Sequence, residues 1–162
     1  MTQKSGMDFR RLPVNVWRLL KLPRLWYALG LGPVIGWLVL LLTTTGRKTG
    51  LLRVTPLQYE EQDGVIYVAS ARGQQADWFR NILANPRVEI RVKARRFYGL
   101  AEPVADPTRI ADFLELRLKR HPRMMGAMLR GEGLTAQPDR AQLEKLAAKI
   151  AVVAILPCED EL

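Results

Sequence analysis

The sequence predicts a mainly β, α+β fold: a small antiparallel barrel of about six strands with peripheral helices. Three observations carry this. Six short segments read as strands, the clearest being Val88-Glu89-Ile90-Arg91-Val92-Lys93, with apolar and charged residues in strict alternation. Asp63-Gly64, set between two β-rich runs, is a strong hairpin signal. The first three strands follow one another with no helix between them, which excludes a doubly wound parallel sheet. No G-x-G-x-x-G fingerprint is present, and Gly30-Leu31-Gly32-Pro33-Val34-Ile35-Gly36 misses that spacing.

Strand one is a buried apolar run from Trp37 to Thr44. The charge-free stretch around it, Leu25 to Leu42, is long enough to raise a membrane span, but Gly30, Gly32, Pro33 and Gly36 break it. A tight loop, Gly46-Arg47-Lys48-Thr49-Gly50, leads into strand two, Arg53 to Glu60, and strand three is Val65 to Ser70. The polar loop Arg72-Gly73-Gln74-Gln75 precedes a short helix from Ala76 to about Leu83, stopped by Asn85-Pro86. Strand five spans Arg96 to about Val104. Asp106-Pro107 is a helix start, and Ile110, Phe113, Leu114 and Leu118 follow at helical spacing. His121 to Gln137, with three glycines, reads as irregular. Pro138-Asp139 opens a helix through about Lys149, and Ile150 to Leu156 is a nearly all-apolar and therefore central strand.

Length and composition bound the function. A chain of 162 residues forms one folded domain and needs neither disulfide nor metal to be stable. The single Cys158 and single His121 exclude a disulfide framework and a multi-ligand zinc site, and they weigh against a Ser-His-Asp triad. A net charge of +9 suggests an anionic partner. The charge lies in four clusters: the first thirty residues, then Arg47/Lys48/Arg53, then Arg87 to Arg96, then Arg117 to Arg123. The last two read as solvated basic surface. Aromatics make up 7% of the chain and supply no stacking platform beyond Phe97-Tyr98, so nucleic acid is not expected as a partner. Residues 1–30 form an N-terminal arm in which Val14, Trp17, Leu20, Leu25 and Leu29 punctuate a basic segment. Such a helical arm can pack on the domain or lie at a membrane surface; residues 31–162 form the barrel domain.

The loop after strand one is the best candidate anion site. Thr43, Thr44, Thr49, two glycines, Arg47 and Lys48 supply many donors and no acid, with Arg53 just beyond. Backbone amides of a tight glycine-bounded loop can cradle phosphate or carboxylate. The alternative is a basic hairpin loop facing water, and the residues alone leave both open. A Walker motif is rejected because its earlier glycine would fall at Leu41. At the end of strand three, Ala69-Ser70-Ala71-Arg72-Gly73 offers the Ser70 hydroxyl. Trp78 and Phe79 read as core, and Asn81 as a solvated polar position.

Together Leu41 to Gly50, Arg53-Val54-Thr55-Pro56-Leu57, Val68-Ala69-Ser70, Trp78-Phe79-x-Asn81-Ile82 and Ala84-Asn85-Pro86 resemble the deazaflavin-dependent nitroreductase family. The resemblance covers residues 37 to 104 and implies a split β-barrel related to flavin-binding barrels. It implies an anionic redox cofactor, coenzyme F420, with FMN as the alternative. The cofactor's acidic tail would lie on Thr43, Thr44, Arg47, Lys48, Thr49, Gly50 and Arg53. Its ring would lie near Thr55, Pro56, Leu57, Ala69, Ser70, Ala71, Arg72 and Gly73, with Trp78 and Asn81 on the following helix. Ser70 would be the catalytic side chain, hydrogen-bonding near the ring's central position. The reaction would be hydride transfer to a small planar electron-poor substrate such as a quinone or nitroaromatic, the protein supplying orientation and electrostatics. Two departures stand out. Ala71 occupies the place where family members often carry lysine, and His121-Pro122-Arg123-Met124-Met125 stands where they carry substrate-lining tyrosines. The rival reading is a membrane-associated binding or carrier protein on the same fold without turnover. A cytoplasmic location, peripheral at the inner membrane face, and a homodimer are compatible with either.

Overall fold

A computed structural model describes residues 39–70 and 72–158 of the chain. The expected N-terminal arm, the Trp37 start of strand one, and Ala71 lie outside the described residues. Six strands form one closed antiparallel barrel: β1 (Val39–Thr45), β2 (Leu52–Gln62), β3 (Val65–Ser70), β4 (Arg87–Val92), β5 (Arg95–Val104) and β6 (Ala151–Pro157). Their order around the barrel is β1-β2-β3-β6-β5-β4, with β4 returning to pair with β1. Closure leaves no long unpaired edge. Asp63 (φ 52°) and Gly64 (φ 78°) both adopt left-handed backbone, the requirement of the two-residue turn joining β2 to β3.

Alternation sorts the side chains. Leu40 and Leu42 of β1, Ile66 and Val68 of β3, Val88, Ile90 and Val92 of β4, and Val153 and Ile155 of β6 fill the barrel interior. Trp78, Phe79 and Ile82 of α1 (Asp77–Ala84) join that core, so α1 packs into the barrel rather than beside it. A short 3₁₀ turn, Gly73–Gln75, precedes α1.

A second core lies on the barrel's outer surface. It joins α2 (Pro107–Arg120), α3 (Pro122–Gly131) and α4 (Arg140–Ala147) through Phe113, Leu114, Met125, Leu129, Leu143 and Leu146. Tyr67, Ala69 and Val152 present the strand side of this layer. β6 is therefore covered on both faces, Val152 by helices and Val153 by the barrel, which is why its sequence is apolar without alternation. Asp106 caps α2 by accepting from the Thr108 amide at 2.9 Å. Asp139 and Gln142 form a capping box on α4. Arg140 ties α4 to α2 through Asp112 (2.7 Å) and Glu115 (2.9 Å), and these carboxylates raise its pKa.

One expectation fails. The segment after His121 is not irregular: Pro122–Gly131 is a helix, started by Pro122 in its first turn. Its glycines lower helix propensity, but Met125 and Leu129 lie four residues apart on one face and are fully buried in the second core. Packing overrides propensity here. No helix among the described residues is long and apolar enough to cross a membrane.

Candidate functional site

Two hollows are lined by successive stretches of β2. The first is a cleft of about 470 Å³ lined by Gly46, Arg47, Lys48, Thr49, Arg53, Val54, Thr55, Asp77, Trp78 and Asn81. The β1–β2 loop forms one wall and α1 the other. Gly50 turns the loop with φ 68°, and its amide donates to the Gly46 carbonyl at 2.7 Å. Gly46 in turn donates to the Leu51 carbonyl at 2.8 Å.

Asn81 holds this loop from below. It is 4% exposed, not the solvated position its sequence context suggests. Its Oδ1 accepts from the Arg47 amide (3.2 Å) and from Arg47 Nη1 (3.0 Å), and its Nδ2 donates to Thr44 Oγ1 at 3.1 Å. Arg47 Nη2 also pairs with Asp77 Oδ1 at 3.0 Å. The Arg47 hydrogen bond and charge hold the Asp77 carboxyl below its usual range, with Arg80 and Arg72 adding to the effect. The fold thus brings an acid into a site that looked acid-free, and commits Arg47 to it. The amides of Gly46, Arg47 and Gly50 are also taken, so the backbone is a poorer anion cradle than the loop sequence suggests. Lys48 and Arg53 are exposed, and neither has an ion-pair partner among the described residues. They are the cations left for an acidic ligand.

The second hollow, about 230 Å³, lies between the barrel and the helical layer. β2 and β3 contribute Pro56, Leu57, Gln58, Ala69 and Ser70; the helices contribute Phe113, Leu114, Arg117, Met128, Glu132 and Leu146; Ile150 completes it. Ser70 is 6% exposed. Arg117, expected on a solvated basic face, is also 6% exposed. Its position in the apolar period of α2, one turn beyond Phe113 and Leu114, was the available signal. Burial lowers its pKa, and Glu60 on β2 works against that shift. Arg117 Nη2 donates to Gln58 Oε1 at 2.9 Å.

The expected site residues therefore divide. Arg47, Lys48, Thr49, Arg53, Thr55, Trp78 and Asn81 line the first cleft, and Pro56, Leu57, Ala69 and Ser70 line the second. Gly50 shapes the loop. Thr44 is fully buried and spent on Asn81. Thr43 faces a separate groove with Thr45, Asn85 and Tyr98. Arg72 and Gly73 line neither hollow. An alanine Cβ at Gly73 would stand 2.5 Å from the Lys149 carbonyl, so this glycine serves the close approach of two backbone segments. Among the described residues no His/Cys/Asp/Glu cluster could hold a metal ion.

The sequence model of the F420H(2)-dependent quinone reductase family matches residues 31–125, more than half of the chain. The chain belongs to that family. Among curated relatives, an F420H(2)-dependent quinone reductase of Mycobacterium tuberculosis is 46% identical over 68 residues, which span 40% of this chain and 46% of that protein. The match thus spans about half the length of the curated relative. A solved F420-H2 dependent reductase, FDR-A, superposes with TM-score 0.50 at 21% identity, covering 72% of this chain and 92% of that one. The heme storage protein HutZ from Vibrio cholerae gives TM-score 0.53 at 15% identity over 75% of this chain and 82% of its own. At such identities the superpositions show the shared split-barrel fold alone. The family match contains the whole first cleft, whereas the second hollow also draws Met128, Glu132, Leu146 and Ile150 from beyond it.

Proposed function

We propose that this quinone-reductase family member binds reduced coenzyme F420 along β2 and passes a hydride to a quinone. The observation that carries this reading is continuity. Val54 and Thr55 line the cationic cleft, and Pro56 and Leu57, the next two residues of the same strand, line the apolar cavity. A ligand with an acidic tail and a flat ring matches that polarity in order. Lys48 and Arg53 suit the tail, because both are cations without an acidic partner among the described residues. Arg47 is better read as a positioning residue, since Asp77 and Asn81 already occupy it. Leu57, Pro56 and Ala69 suit the ring, and the Ser70 hydroxyl stands at the same cavity as a donor. When bound, the cofactor supplies the hydride. The chain orients it, keeps water from the apolar side, and offers hydrogen bonds to the reacting pair. Contact of residues 1–30 with a membrane surface and pairing into a homodimer belong to the same reading and are not required by it.

The test is a titration followed by cofactor fluorescence. The wild type binds F420, and Lys48→Glu/Arg53→Glu weakens binding by more than about tenfold, as expected for two lost charge-assisted contacts. With F420H2 present, menadione is reduced in steady state. Equal F420 affinity in the variant would remove the tail site. Tighter binding of FMN than F420, or turnover of nitroaromatics but not quinones, would replace the cofactor or the substrate respectively.

A further inference from the structure

The second cavity holds a buried charge that stability does not explain. Arg117 is 6% exposed, on a wall shared with Leu57, Phe113, Met128 and Ile150. Its carboxylate partner, Glu60, is 4% exposed and shared three ways. Glu60 Oε2 accepts from Arg120 Nη1 at 3.1 Å, while Oε1 lies 3.0 Å from His121 Nε2 and 3.4 Å from Arg117 Nε. The last two approaches are misaligned, so Glu60 Oε1 and Arg117 Nε are both buried without a hydrogen bond. Only Nη2 of Arg117 makes one, to Gln58. Beyond its stacking on the Phe113 ring (5.8 Å), the guanidinium is under-used: a buried donor left in this state costs stability, and replacing Arg117 and Glu60 together by apolar side chains would pack α2 on β2 at less cost. The guanidinium is therefore poorly matched to a purely structural role and well placed for a ligand.

We propose that Arg117 receives the substrate's oxygen: with the cofactor ring against the strand side of the second cavity, the carbonyl edge of a small quinone enters on the helical side, and the guanidinium holds the oxygen that becomes anionic on reduction. This rests on the quinone-reductase reading above and names the residue that would make it specific. A volume of about 230 Å³ holds one ring system, so beside the cofactor only the quinone's carbonyl edge lies inside and the rest of the substrate stays at the mouth. Hydride addition brings the quinone two electrons and one proton, and the hydride donor is oxidised. One quinone oxygen then carries a negative charge until water supplies the second proton. A fixed guanidinium in an apolar cavity stabilises that charge more than water would, because little reorganisation is needed. Arg120, paired with the other oxygen of Glu60, offsets that carboxylate and leaves Arg117 as the cation at the cavity wall. Glu132 at the cavity is exposed, and its charge is screened by solvent.

The test uses the full chain and two redox-inert probes of equal size, 2-naphthoate and naphthalene-2-carboxamide, titrated calorimetrically without cofactor. The wild type should bind the anion tighter than the amide by about tenfold or more, the factor a charge-assisted hydrogen bond gives. Arg117→Met should abolish that preference while amide affinity changes by less than about threefold, within the range of lost packing alone. Should this variant fail to fold, Glu60→Gln/Arg117→Met removes both buried charges together and tests the same preference. In either variant kcat for menadione falls more than its KM rises. A wild type that binds neither probe or both equally, or a preference that survives loss of Arg117, overturns the proposal. So does a preference lost in Lys48→Glu/Arg53→Glu, which would put the anion in the first cleft. Failure to bind F420 would defeat the cofactor reading and leave the probe result standing, so the two failures are distinguishable.

Discussion

Asn81 and Asp77 both touch Arg47, and magnitudes separate their roles. Asn81 is buried and makes three hydrogen bonds, two to Arg47 and one to Thr44. Removing it leaves the buried Thr44 hydroxyl and the Arg47 amide without partners, a cost of about 1–3 kcal/mol. The Asp77 side chain is 83% exposed, and a solvated ion pair contributes little. Asn81→Ala should therefore lower stability measurably in urea and loosen the loop, whereas Asp77→Asn should leave the midpoint where it was. Equal losses from the two would make Asp77 the anchor. The pH dependence has a definite sign. Arg47 depresses the Asp77 pKa, so the pair contributes fully above the unfolded carboxyl value and fades only as pH falls below it toward the lowered one. Near neutrality the loop contact is insensitive to pH. The sequence showed that Arg47, Lys48 and Arg53 flank one glycine-bounded loop, and they do meet in one cleft. It could not show that Arg47 is already engaged, because Asp77 and Asn81 lie thirty and thirty-four residues further along the chain.

Among the elements, strands were the most legible. β4 alternates with period two because one face is barrel interior and the other is not, and its buried set is Val88, Ile90 and Val92. β6 was recognisable as central from its unbroken apolar run. α3 was not recognisable, since Gly126, Gly131 and Gly133 made the segment read as irregular. Its helicity depends on tertiary contacts, and that gives a direct check. Leu129 is fully buried between the helices. Leu129→Ala should cost about 2–5 kcal/mol and, because α3 has little intrinsic propensity, should raise amide exchange first along Pro122–Gly131. Uniform exchange in that segment would mean that α3 stands on its own propensity. Arg117 escaped sequence reading for a related reason. A basic cluster at a helix C-terminus favours the helix dipole and ordinarily faces water, and only the opposing carboxylate of Glu60 on a distant strand permits one member to turn inward.

The whole molecule has two cores that share one strand. Val153 faces the barrel interior and Val152 the helical layer, on consecutive residues of β6. The second cavity lies at this seam, so its shape depends on both cores holding together. A helical layer that could detach while the barrel stayed folded would open the cavity and release Arg117 to water. The seam argues against that. β6 pairs with β3 on one side and β5 on the other, so the strand that carries Val152 is locked into barrel closure. α2 follows β5, and α4 leads directly into β6. Loss of the helical layer would expose the outer face of β6 and raise the free energy of the closed barrel as well. Unfolding should therefore be a single transition. Val153→Ala and Leu114→Ala, one from each core, should both shift the same denaturant midpoint with no added phase. The slowest-exchanging amides of β6 and of α2 should report the same opening free energy. Two resolved transitions, or α2 exchanging well below β6, would show that the layer detaches. Arg117 would then meet solvent without global unfolding, in the fraction of molecules set by that lower opening free energy.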